Sequence, residues 1–79
     1  MNIGSSEYTD VIAARTIFRE TMIEADKGNS DDVYIKVING SDEATHIEAG
    51  GAVTFSTNES WRGLEGKSAS GTQTVRRVY

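Results

Sequence analysis

Apolar and polar positions alternate most cleanly over residues 32–38, where Val33, Ile35 and Val37 fall on one face and Tyr34, Lys36 and Ile38 on the other. A period of two in a β-branched run predicts a half-buried strand. Asn39-Gly40 follows at once, a dipeptide that tolerates positive φ and predicts a tight reversal, with Ser41-Asp42 able to lengthen the loop. Residues 44–48 form a short run, Ala49-Gly50-Gly51 a turn, and Ala52–Ser56 a further run with Val53 and Phe55 on one face. Two more strands are predicted there. Residues 57–60 are a polar connection, residues 61–66 a segment interrupted by glycine, and Ala69-Ser70-Gly71 a turn into a closing strand over residues 72–79.

The first third supports two readings. Val11, Ala14, Phe18 and Met22 recur at helical spacing, which predicts a helix over residues 7–25, capped by Ser5 or Ser6 and stopped at Lys27-Gly28-Asn29. Against it, residues 16–23 are rich in β-branched and aromatic types, and Arg19, Thr21, Ile23 and Ala25 alternate toward the next strand. We favour a strand over residues 16–25, because it supplies that next strand with a local partner. Residues 1–15 are then an N-terminal arm, ordered only against a neighbour. The expected architecture is all-β, a small antiparallel β-sandwich or barrel-like sheet over residues 16–79 with an extended arm. The alternative is an α+β fold with one N-terminal helix.

Composition sharpens this. A chain of 79 residues buries only about 60% of the surface its unfolded form exposes, so a partner or an oligomer is expected. With no cysteine, neither disulfides nor a thiolate metal site can staple it. No apolar run approaches the roughly 18 residues of a membrane span, and residues 1–6 lack the features of a signal peptide, so cytoplasmic synthesis and no membrane partner are expected. The net charge of −4 is uneven: residues 1–60 are acidic, whereas residues 61–79 set Arg62, Lys67, Arg76 and Arg77 against Glu65 alone. Overall acidity argues against nucleic acid, which binds through phosphate neutralisation. Oppositely charged regions suit protein association better.

Chemical motifs mostly fail when tested. Gly66-Lys67-Ser68 ends like a phosphate loop, but Trp61 stands where the first glycine of the cradle is needed. Residues 26–32 gather Asp26, Asp31 and Asp32 without the spacing of a calcium loop, which reads as a solvated acidic loop. Asn39-Gly40-Ser41 and Asn58-Glu59-Ser60 match the glycosylation pattern by chance. His46 is the single histidine, so one chain can assemble neither a Ser-His-Asp triad nor a two-histidine metal site. Pairs such as Asp31-Asp32 and Asp42-Glu43 need a cleft that so small a sheet seldom encloses. No catalytic residue, cofactor or metal is assigned, and an enzyme is not expected. Trp61 is either a core plug or, with Arg62, an interface anchor; Arg76, Arg77 and Tyr79 form a contact patch or a solvated strand end. Tyr8, on the expected arm, is a further interface candidate.

Several segments, taken in order, carry a resemblance: residues 29–37, then Ile47-Glu48-Ala49-Gly50-Gly51-Ala52-Val53-Thr54-Phe55-Ser56, then Trp61-Arg62-Gly63-Leu64, then Ser68-Ala69-Ser70-Gly71-Thr72, then Val75-Arg76-Arg77-Val78-Tyr79. Over residues 17–79 the chain resembles small β-structured virion proteins of tailed bacteriophages. In that group a strand is followed by a proline-glycine turn, a Trp-x-Gly and a final Ser-x-x-Gly-Thr strand. Here Ala49-Gly50-Gly51 replaces the proline-glycine turn. The resemblance implies a structural virion protein, foremost a capsid decoration (cement) protein binding the head surface in symmetric copies, with a trimer favoured. Its partners would be the major capsid protein or neighbouring virion subunits. A head-to-tail joining or tail accessory protein is the nearest alternative. From a different class, a soluble carbohydrate- or protein-binding module would use Trp61, Arg62 and Tyr79.

Overall fold

A computed structural model describes residues 1–14, 20–40, 43–56 and 63–79. Among these residues there are eight strands: β1 Asn2–Ile3, β2 Thr9–Ile12, β3 Glu20–Ala25, β4 Val33–Val37, β5 Thr45–Ile47, β6 Ala52–Ser56, β7 Leu64–Ser68 and β8 Gln73–Arg77. They form two four-stranded sheets, β1-β8-β3-β6 and β2-β7-β4-β5. Every pairing within them is antiparallel. The fold is all-β, as expected of a small sandwich. Among the described residues there is no helix, so the α+β alternative is set aside. None is therefore long and apolar enough to cross a membrane.

Alternation decides which side chains fill the space between the sheets. Ile3, Ile23, Ala25 and Val75 come from the first sheet, and Ile12, Val33, Ile35, Ile47 and Leu64 from the second. All are nearly or fully buried, and each such Ile or Leu contributes about 1.5–3 kcal/mol relative to an exposed position. Gly66 stands in β7 where a side chain would crowd this core: an added Cβ would come within 2.8 Å of Ile35 Cδ1 and 3.0 Å of Val11 Cγ2. In β2 the register shifts between Asp10 and Ile12, a bulge that lets the adjacent Val11 and Ile12 both pack against the core.

The N-terminal arm expected over residues 1–15 is corrected. β1 pairs with β8, β2 pairs with β7, and Ile3 and Ile12 sit in the core. Two short apolar anchors hold this segment in both sheets, although neither forms a run long enough to register as a pattern. The strand favoured over residues 16–25 is β3, whose described part starts at Glu20; residues 15–19 lie outside the description. The reversal at Asn39 is present, with φ of 56° there and Gly40 N–H donating to Val37 O at 3.0 Å. The loop is longer than a two-residue turn, since β5 begins only at Thr45.

Candidate functional site

The outer face of the second sheet gathers the densest exposed chemistry among the described residues. Inward positions of β4 and β7 are apolar or small, so Tyr34, Lys36, Glu65 and Lys67 alternate outward. Register then aligns them across strands. Tyr34 lies opposite both His46 on β5 and Lys67 on β7, while Lys36 lies opposite Glu65, itself opposite Asp10 on β2. The Tyr34 and His46 rings stand 4.4 Å apart at a tilt of 48°, a geometry that aromatic pairs favour. Lys36 Nζ is 3.4 Å from Glu65 Oε2. Tyr8 is shared by two cations, with Lys36 Nζ 5.0 Å and Lys67 Nζ 5.7 Å from its ring centre. Each contact contributes on the order of 0.5–1 kcal/mol at a partly exposed site.

This is a platform rather than a cleft. Aromatic planes and charges of both signs lie half-exposed on a sheet surface, which suits recognition of another surface. Tyr34 and Lys36 are legible as outward-facing from alternation alone, but their convergence with Tyr8, His46 and Lys67 depends on pairings distant in sequence.

The other sequence-predicted candidates lie elsewhere. Trp61 and Arg62 are outside the described residues. Arg76 projects from the outer face of the first sheet and pairs with Glu24 at 2.8 Å, beside a shallow depression that Asp26, Lys27 and Gly50 also line. Arg77 Nε donates to Thr21 Oγ1 at 3.0 Å and to Tyr79 O at 3.3 Å. Tyr79 is half-exposed, with its hydroxyl 3.4 Å from Thr54 Oγ1. These three surround the end of β8 in the first sheet, whereas Tyr8 packs on the second. They do not form one patch.

The loop of residues 26–32 is built into the fold. Asn29 pairs its amide with the Thr74 backbone, donating to Thr74 O at 2.9 Å and accepting from Thr74 N–H at 2.8 Å. Gln73, almost fully buried, donates to Ser70 O at 2.8 Å and accepts from Ser30 N–H at 2.9 Å. Asp26 accepts from Gly28 N–H. Asp31 accepts from the Ser70 hydroxyl at 2.7 Å and from Asp32 N–H at 2.8 Å, and these bonds hold its carboxyl below the ordinary 3.8. Among the described residues no group of three His, Asp or Glu is arranged to hold a metal. Gly66-Lys67-Ser68 is the body of β7, with Gly66 and Ser68 facing inward. Compared with known proteins, the chain matches no family model, no curated protein and no solved structure.

Proposed function

We propose that this chain is a non-catalytic structural protein of a tailed-phage virion, foremost a capsid decoration protein that docks on the head surface in symmetric copies. The observation that carries a docking role is the platform of Tyr8, Tyr34, His46, Lys36 and Lys67: its two half-exposed tyrosines, one paired with His46 and the other under two lysine cations, are of the aromatic type that protein interfaces enrich. The virion assignment rests on the sequence resemblance. Its partner would be the major capsid protein or a neighbouring virion subunit, and its site the assembled particle. A joining or tail accessory protein would use the same surface on a different virion component. The half-exposed Tyr34 and Tyr8 rings also support a second reading, a carbohydrate-binding module, since sugar faces stack on such planes.

The test is co-sedimentation of the purified chain with expanded phage heads, comparing wild type with Tyr8→Ala and Tyr34→Ala. A decoration protein raises the heat resistance of heads by mass action, and each substitution weakens binding about tenfold or more. If neither the chain nor its variants sediment with heads, the decoration reading is lost. A glycan that raises the melting temperature of wild type but not of Tyr34→Ala would establish the second.

A further inference from the structure

Of the four edge strands among the described residues, three are blunted. β1 is two residues long, β5 is three, and β2 carries both a bulge and Asp10. Short length, bulges and charges are the usual means by which proteins prevent edge-to-edge pairing. β6 has none of them. It spans Ala52-Val53-Thr54-Phe55-Ser56, with no charge and no proline, and β3 is its only partner among the described strands.

We infer that β6 pairs with β6 of a second copy of this chain, antiparallel about a two-fold axis at Thr54. Three observations lead there. First, the edge is self-complementary: pairing about Thr54 sets Val53 opposite Phe55 of the second copy and Ala52 opposite Ser56. An aromatic opposite a β-branched residue is a favourable cross-strand pair. Second, the backbone is in phase. Ala25 N–H donates to Gly51 O at 2.9 Å, so stepping by two along the register places Ile23–Val53 and Thr21–Phe55 in the hydrogen-bonded class. The N–H and C=O groups of Ala52, Thr54 and Ser56 therefore point away from β3, where a second strand would meet them. Third, Val53 and Phe55 pack against the core yet remain only partly buried, and a strand beside them would cover the exposed remainder. The first sheet then runs continuously through both copies as β1-β8-β3-β6 and its reverse. Such a contact is isologous and closed, so it ends at a dimer.

The inference does not depend on the virion reading, because it concerns the purified chain with no capsid present. An interface of one short strand falls at or below the small end of specific interfaces, about 1,200 Å², so its mass depends on concentration. Light scattering with sedimentation equilibrium on the full chain tests it. Wild type moves from one chain mass toward two as concentration rises. Thr54→Lys and Thr54→Glu each set like charges opposite themselves across the axis and weaken the dimer about tenfold or more. Mixing the two variants restores it, because Lys then faces Glu. Circular dichroism checks that each variant keeps the β spectrum, as expected for an exposed position. Wild type that stays at one chain mass up to about 1 mM overturns the inference. So does a mass that neither variant changes, or a mixture that fails to recover.

Discussion

Asp31 is a carboxylate whose surroundings matter more than its composition suggests. As one of three acids in seven residues it reads as solvated, yet its two oxygens accept hydrogen bonds from the Ser70 hydroxyl and the Asp32 backbone. The Ser70 bond joins the β3–β4 loop to the β7–β8 turn, while the Asp32 bond lies within the loop. A carboxyl held below its ordinary 3.8 in the fold stabilises that fold above this value, and the contribution disappears as pH falls through the lowered value. Ser70→Ala removes the larger of the two causes. We therefore expect Ser70→Ala to melt below wild type at about pH 6 and the gap to narrow at about pH 2.5, measured by thermal scans at both values. A gap of equal size at both would mean that the hydroxyl acts without the charge. Residue types alone do not reveal this arrangement, because Ser70 and Asp31 lie far apart in sequence and meet only when the two loops do.

Strands were legible in proportion to their apolar alternation. In β4 and β6 every second residue is Val, Ile or Phe on the inward face, and both elements match the pattern. β3 was legible through Thr21, Ile23 and Ala25 despite a competing helical spacing, because Thr21 and Ile23 among its inward positions are β-branched. β7 was not, since its inward positions after Leu64 are Gly66 and Ser68, small residues that break the apolar alternation, with Gly66 leaving room for side chains from other strands. β2 was hidden by its bulge, which puts two neighbours on one side and erases the period. The platform on the second sheet was half legible for the same reasons: Tyr34 and Lys36 follow from β4, whereas Lys67 and Tyr8 belong to elements that alternation did not expose. The join between β2 and β7 can be tested at Gly63, which has φ of 75° and faces Ile12 and Ala13 so closely that an added Cβ would meet the Ile12 carbonyl oxygen and lie 2.6 Å from that of Ala13. Gly63→Ala should cost about 2–4 kcal/mol in chemical denaturation, because neither the backbone angle nor the carbonyls can yield cheaply. Gly4→Ala, where nothing lies within 4 Å, should stay within about 0.5 kcal/mol.

Taken whole, the molecule joins its two ends. The excess of acid in the first part and base in the last, which suggested association between chains, is partly satisfied within one: β8 lies beside β3, and Arg76 meets Glu24. β1 and β2 each complete a sheet. Deleting residues 1–12 removes two buried isoleucines worth about 1.5–3 kcal/mol each, along with the ladder bonds to β7 and β8. Total stability for a chain of this size is about 4–12 kcal/mol. We expect the truncated chain to lose its cooperative thermal transition, followed by circular dichroism; an unchanged melting temperature would restore the arm. Among the described strands, β4 and β5 are the only consecutive pair in the same sheet, and every other consecutive pair is divided between the two sheets. On the ribosome, this order leaves little to assemble early. β3 gains one partner when β6 emerges, but its other side and all of β1 wait for β8, the last of the described strands. Folding is therefore deferred until β8 has emerged, and until then the uncharged β6 edge is exposed in a half-built sheet to every other nascent copy nearby.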